Sequence, residues 1–89
     1  MEISDAEFKE FLGERIKSIR TGRNLGVRKF SQLADIEHHQ LLRIEKGLVD
    51  IRLSTLRKIA IALNVKESHL LNLGGSSMTG NDSDTTETV

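Results

Sequence analysis

The stretch from Leu25 to Gly47 reads LGVRKFSQLADIEHHQLLRIEKG, and its apolar residues recur at helical spacing. The spacing predicts one short helix over about Val27 to Ala34 and a second over about His38 to Glu45. Asp35 falls in the turn between them, and the glycine that closes the stretch predicts the end of the second helix. We therefore expect two short helices that pack against each other around a tight turn.

The segments on either side carry the same helical periodicity. Ser4 and Glu7 have the spacing of a capping box, which predicts a first helix that begins near Ser4 and stops near Gly22. A fourth helix is predicted over about Leu53 to Leu63, and a short fifth helix follows Val65. The residues expected on the inward faces of the first four helices are Phe8, Phe11, Leu12, Ile16, Ile19, Phe30, Leu33, Leu41, Ile44, Leu53, Leu56, Ile59, Ala60 and Leu63.

Composition favours a single small all-α domain. The chain has 89 residues, no proline and no cysteine, so neither a disulfide nor a thiolate metal site can stabilise it. We expect the domain to cover residues 1–73 and the polar, glycine-rich segment 74–89 to be a disordered tail. No apolar run approaches the roughly 20 residues of a membrane span, and the acidic start is unlike a secretory signal. A cytoplasmic protein without a membrane partner is therefore expected.

The charges of the chain are unevenly distributed although they sum to zero. Between Arg15 and Lys66 there are twelve basic and four acidic residues, a local charge of 12 − 4 = +8. The compensating carboxylates lie in the first helix and near the C-terminus. Because a phosphate backbone responds to the local field, this distribution favours a nucleic-acid partner. The alternative is that these basic residues only form hydrated helix surfaces and bind nothing.

Several short motifs follow one another in a fixed order along the chain: Leu12-Gly13-Glu14-Arg15-Ile16, Ile19-Arg20, Leu25, the RIEKG that ends at Gly47, and Ser54-Thr55-Leu56 through IAIALNV. With these motifs the chain resembles, over roughly Glu7 to Leu73, the Cro/CI-type repressor DNA-binding domain, also called the XRE-type helix-turn-helix. The resemblance implies a compact five-helix, lambda-repressor-like fold with the helix-turn-helix at helices 2 and 3. Ser31 is nearly as small as the family's usual alanine. Asp35 replaces the frequent turn glycine and tolerates a left-handed conformation.

The resemblance also implies which residues contact DNA. The base-reading positions at the start of helix 3 are Glu37, His38, His39, Leu42 and Arg43, with Gln40 adjacent. The candidate phosphate ligands are Gly26, Val27, Arg28, Lys29, Lys46 and Arg52. Arg43 can pair with guanine and Glu37 can accept from cytosine, while the start of helix 2 suits an anion. The alternative is that these residues form an ordinary solvated helix face and contact no DNA. For Arg57 and Lys58, solvated positions on a helix are what we expect.

Two further pairs of residues can each be interpreted in two ways. By the same resemblance Arg20 should pair with Glu45, and we favour a structural ion pair that orients helix 3 against helix 1 over a phosphate contact. His38 and His39 could hint at a metal, but adjacent helical residues point about 100° apart. With no third ligand in the pattern, we expect neither a metal nor another cofactor.

The leading functional hypothesis is sequence-specific double-stranded DNA binding by a small transcriptional regulator, a repressor or autoregulator. The resemblance implies a palindromic operator and a homodimer formed through the helix 5 region, whose leucines Leu70, Leu71 and Leu73 serve either the core or the interface. The alternative is a protein-interaction module, such as an antitoxin-like partner, with weak or no specific DNA readout. The residues that favour this alternative, because they depart from the family's usual contacts, are Val27, Glu37, Leu48 and Val49. Neither an enzyme nor a small-molecule effector is expected.

Overall fold

A computed structural model describes residues 2–72, and within them the chain forms helices without any strand. The helices are α1 (Asp5–Gly22), α2 (Val27–Ala34), α3 (His38–Glu45), α4 (Leu53–Leu63) and α5 (Glu67–Leu71). The all-α, five-helix prediction is confirmed, and the observed bounds of α2, α3 and α4 are the predicted ones. Leu73 and the predicted tail 74–89 lie outside the described residues.

The start of α1 has the predicted capping box. The backbone N–H of Glu7 donates to Ser4 Oγ at 3.1 Å, and the backbone N–H of Ser4 donates to Glu7 Oε1 at 3.0 Å. Gly22 is the last helical residue, and the left-handed residue that redirects the chain is Asn24, at φ 59°. None of the described helices, including the 18-residue α1, is both long and apolar enough to cross a membrane.

One apolar core lies between the helices, and every helix contributes to it. Its buried members are Leu12, Ile16, Phe30, Ala34, Leu41, Ile44, Leu56, Ile59, Ala60, Leu63 and Leu70. The two short helices α2 and α3 pack on each other, with α1 against α3 and α4 against α2. The longer helices thus form a scaffold on which the α2–turn–α3 unit is held.

Several residues expected in the core are on the surface instead. Leu33 is 56% exposed because the eight-residue α2 buries the face of Phe30 and Ala34, which Leu33 does not share. Leu53, at 81% exposed, is the first residue of α4 and precedes the part of that helix that meets the core. The predictions for both leucines were wrong.

The two phenylalanines at the start of α1 also depart from the prediction. Phe8 is 40% and Phe11 is 45% exposed. An 18-residue helix is about 27 Å long, whereas the eight residues of α3 span only about 12 Å. The N-terminal turns of α1 therefore extend past the helix that covers its middle, and the predicted apolar stripe is buried only from Leu12 onward.

Candidate nucleic-acid interface

The turn between α2 and α3 depends on one left-handed residue. Asp35 adopts φ 58° and ψ 49°, as its position in the sequence predicts. The N–H of Ile36 then donates to Ser31 O at 3.0 Å, which closes the end of α2 and lets the chain reverse. Lys58 of α4 is exposed, as expected, and it also donates to Asp35 O at 3.3 Å, so it contacts the turn.

A small side chain lies at the contact between α2 and α3. Ser31 is 3% exposed, and its Oγ donates to Val27 O, one turn earlier in the same helix, at 2.7 Å. The hydroxyl is therefore satisfied without any partner from α3. A serine can replace alanine here because the extra atom is directed back into its own helix.

Glycines bring α1 and α3 into direct backbone contact, a feature that the sequence interpretation missed. A Cβ on Gly13 would lie 2.5 Å from the carbonyl oxygen of Glu45 and would also overlap that of Ile44. A Cβ on Gly47, at φ 74°, would lie 2.9 Å from Glu10 Cα. The only signal in the sequence is a glycine inside an otherwise regular helix, which indicates a packing reason without naming the partner.

A buried ion pair fixes α3 against α1 just beside this contact. Arg20 Nε donates to Glu45 Oε2 at 2.7 Å and Nη2 donates to Oε1 at 3.0 Å, a bidentate arrangement. The remaining Nη1 donates to Leu25 O at 2.7 Å. Both charged side chains are less than a tenth exposed. The guanidinium is fully engaged inside the protein, so Arg20 is not available to a phosphate.

The outward face of α3 is centred on His39 and Arg43. The helix buries Leu41, Ile44 and Glu45, which leaves the opposite face to solvent. His39 and Arg43 are both exposed and are four residues apart, so they project side by side. Among the predicted base-reading residues, these two and Glu37 are exposed.

The other predicted base-reading residues surround this pair. His38, Gln40 and Leu42 are half-buried and form the edges of the face. Glu37 is exposed, and although it is the N-cap residue of α3, its side chain accepts no capping hydrogen bond. Its carboxylate is consequently free to contact a base amino group, and would be repelled by a phosphate.

The first turn of α2 has Arg28 within electrostatic range of His38, at the start of α3. Gly26 is the N-cap of α2 and makes no side-chain cap, so the N–H groups and the positive end of the dipole face outward. Arg28 and Lys29 are exposed beside it, and Arg28 is close enough to His38 to influence its pKa. Val27 instead packs against the core, which leaves only its backbone for an anion.

The two remaining phosphate candidates lie elsewhere on the surface. Lys46 is at the C-terminal end of α3, beside Glu10 and Glu14 of α1. Those carboxylates offset its charge, so its position suits a phosphate less well than that of Arg28. Arg52 is exposed at the N-cap of α4. The other four candidates, Gly26, Val27, Arg28 and Lys29, are consecutive and form the N-cap and first turn of α2.

The imidazole rings of His38 and His39 lie close together, with their planes inclined by 36°. Their ring centroids are 4.1 Å apart. Within residues 2–72, no three histidine, aspartate or glutamate side chains are grouped closely enough to hold a metal ion. Partial burial, the neighbouring His39 and the guanidinium of Arg28 lower the pKa of His38 from its ordinary value of 6.5, while Glu37 opposes them.

We expect the imidazole of His38 to titrate below pH 6.5 in the free protein, as measured by NMR of its ring protons. Replacing Arg28 with glutamine should raise this midpoint, because it removes one of the positive charges that disfavour the imidazolium. The matched change Arg57→Gln, on the exposed side of α4, should leave it unchanged. A midpoint that does not respond to Arg28→Gln would mean that the first turns of α2 and α3 are farther apart than described.

The chain has recognisable relatives among protein families and solved structures. A family model described as a helix-turn-helix domain matches residues 13–76. A transcriptional regulator of the HTH_3 family from Vibrio cholerae is 30% identical, with a TM-score of 0.71; the match covers 75% of this chain and 38% of that one. No curated protein matches the chain in sequence.

Two more distant structures share the fold alone. The restriction-modification controller protein C.AhdI from Aeromonas hydrophila is 23% identical, with a TM-score of 0.68; the match covers 73% of this chain and 97% of that one. The clp gene regulator ClgR from C. glutamicum is 20% identical, with a TM-score of 0.69 and coverage of 72% and 82%. The family match over most of the described domain, together with the left-handed turn at Asp35, shows that the chain belongs to the helix-turn-helix family of the Cro/CI (XRE) type.

Proposed function

We propose that this protein is a transcriptional regulator that binds double-stranded DNA and reads base edges in the major groove with α3. The observation that carries the proposal is the exposed pair His39 and Arg43 on the outward face of a helix held rigidly by its buried side. Helix-turn-helix proteins place the second helix of the unit in the groove. An arginine on that helix can contact guanine through two hydrogen bonds.

The phosphate contacts that would orient α3 are proposed at the start of α2. Gly26 and Val27 offer backbone N–H groups, and Arg28 and Lys29 offer mobile positive charge on the same turn. This turn neighbours that of α3, so one DNA strand could contact both. The local charge of +8 between residues 15 and 66 would attract DNA at long range. Lys46 and Arg52 are proposed as weaker, peripheral contacts.

A homodimer that binds a palindromic operator and represses transcription completes the proposal. Leu70 of α5 is fully buried in the core, whereas Leu71 is 39% exposed and could join a two-fold interface with a second copy. A symmetric dimer would place two copies of α3 on successive half-sites. We propose a cytoplasmic location for this repressor.

The second candidate function is a protein-interaction module that retains the fold without specific DNA readout. Val27 favours it, because this residue is packed against the core at a position where many family members have a side chain able to contact phosphate. Leu48, 67% exposed in the loop after α3, is an apolar residue where the family often has polar or basic ones.

Selection of bound duplexes from a random-sequence library, followed by fluorescence anisotropy at two salt concentrations, distinguishes the two functions. A regulator should enrich one sequence with inverted symmetry and bind it at least about a thousandfold more tightly than random DNA. A reporter placed behind that sequence should lose expression when the protein is present. Weak binding of all duplexes alike would overturn the proposal and leave the interaction module.

Arginine-to-alanine changes separate base reading from phosphate binding. Arg43→Ala should cost about 1–3 kcal/mol on the selected duplex and relax the preference at one base pair in each half-site. Arg28→Ala should weaken selected and random duplexes about equally and reduce the salt dependence by about one unit of slope. Arg57→Ala, which removes the same charge from α4, is the control and should leave the sequence preference unchanged. Equal effects of Arg43→Ala on both duplexes would contradict base reading.

A further inference from the structure

An apolar groove lies between the start of α1 and the loop that follows α3. It encloses about 360 Å³. The buried side chains of Leu12 and Ile44 form its floor, and Phe8, Val49 and Ile51 line its sides. We call this feature the α1–loop groove. It exists because the N-terminal turns of α1 extend beyond α3, so the ring of Phe8 remains 40% exposed.

The rim of the α1–loop groove carries two carboxylates and one amino group. Asp5, Lys9 and Asp50 line it, and Lys9 Nζ lies 2.9 Å from Asp50 Oδ1 across its edge. Asp50 is 89% exposed, so this ion pair is solvated and opens at little cost. Of the five acidic residues between residues 2 and 14, only Asp5 lines the groove, whereas Glu10 and Glu14 lie beside Lys46.

The charge of the groove determines which kind of molecule it suits. Its carboxylates repel a phosphate backbone, so DNA is not its ligand. An apolar floor of this size, with Phe8 half-exposed on one side, matches two or three aliphatic side chains of a helix laid lengthwise. Lysine or arginine residues flanking those side chains would face Asp5 and Asp50.

We propose that the α1–loop groove docks an amphipathic, basic helix of another protein. Aliphatic side chains of that helix fill the space over Leu12 and Ile44. Its basic side chains pair with Asp5 and Asp50. To do so, Asp50 gives up its ion pair with Lys9 and forms one with a basic residue of the partner helix. The proposal is independent of DNA binding, because none of the groove residues is among the DNA contacts proposed above.

A synthetic peptide of about 15 residues, long enough for four helical turns, tests the proposal. It contains leucines at positions i, i+3, i+4 and i+7 and lysines elsewhere, and its matched control has glutamates in place of the lysines. Titrated into the isotope-labelled full chain, the lysine peptide should shift the methyl signals of Leu12, Ile44, Val49 and Ile51. The glutamate peptide should leave them unmoved at the same concentration.

The affinity of the lysine peptide for variants with a reversed charge on the rim measures the electrostatic part of the binding. Asp5→Lys and Asp50→Lys should each weaken binding of the lysine peptide about three- to tenfold at low salt and by less at high salt, where charges are screened. Glu67→Lys, the same charge change on α5, should have no effect. Phe8→Ser should weaken binding at every salt concentration, and a circular dichroism spectrum matching the parent chain shows that the variant is folded.

Three results would overturn the proposal. One is equal binding of the lysine and glutamate peptides, and another is a set of shifted signals confined to α5 or to the outward face of α3. The third is a homodimer, measured by sedimentation equilibrium, that Phe8→Ser dissociates, because the groove would then be an interface between two copies of this chain.

Discussion

Replacing Glu45 with alanine is expected to lower the free energy of unfolding by about 3–5 kcal/mol, as measured by urea denaturation followed at the helical circular dichroism band. The change leaves the guanidinium of Arg20 in a site where its side chain is 7% exposed, with Leu25 O as its remaining partner. An unpaired buried charge is costly, since neither water nor a counter-charge reaches it. Small domains have only about 5–15 kcal/mol of stability in total, so the expected loss is a large part of it.

Two controls isolate the burial of the charge. Asp50→Ala removes one partner of the exposed pair with Lys9 and should cost less than about 1 kcal/mol. The double change Arg20→Met with Glu45→Leu removes both charges and should recover most of the loss, apart from about 1 kcal/mol for the hydrogen bond to Leu25 O. If Glu45→Ala costs no more than Asp50→Ala, the pair does not orient α3 against α1 in the way described.

Gly13→Ala is the second change with a large expected effect, a destabilisation of about 3 kcal/mol, at the upper end of the range for overpacking. The new methyl group would lie 2.5 Å from Glu45 O and 2.7 Å from Glu45 C, and these are backbone atoms that cannot rotate away. Ile44 O, which it would also overlap, accepts the N–H of Gly47 at 3.0 Å, so a shift of α3 breaks its own C-terminal cap. Thermal unfolding monitored by circular dichroism measures the loss.

Gly22→Ala is the matched control, because it makes the same chemical change in the same helix. Apart from its chain neighbours and the adjacent backbone of α1, no atom lies within 4 Å of the methyl group it would add. Alanine is favoured over glycine in a helix by about 1 kcal/mol, so this variant should be neutral or slightly more stable. Gly13→Ala should therefore be clearly destabilising, whereas Gly22→Ala should not be. Equal effects would contradict the close approach of α1 and α3.

The helix bounds and the turn could be predicted from the sequence because local signals specify them. Ser4 with Glu7 marks the start of α1, and Asp35 marks the turn through its tolerance of the left-handed conformation. The periodicity of α3 identified Leu41 and Ile44 as inward, which left His39 and Arg43 outward. These features involve residues within one or two helical turns of each other.

Features that depend on distant segments could not be predicted in this way. Whether Leu53 or Phe8 is buried depends on how far a neighbouring helix extends. The apolar periodicity of a residue's own helix gives no information about the length of that neighbour. Gly13 has its role only because the end of α3 crosses it. Lys46 was proposed as a phosphate ligand from its sequence position, but its neighbours Glu10 and Glu14 come from α1.

NMR mapping of the bound duplex tests the central claim most directly. The isotope-labelled chain is titrated with the duplex obtained by selection, and the change in each backbone amide signal is measured. The largest changes should occur at His39 and Arg43 of α3 and at Gly26 to Arg28 at the start of α2, with α5 and the start of α1 little affected. Changes confined to α1 or α5, with the amides of His39 and Arg43 unmoved, would contradict the proposal that α3 reads DNA.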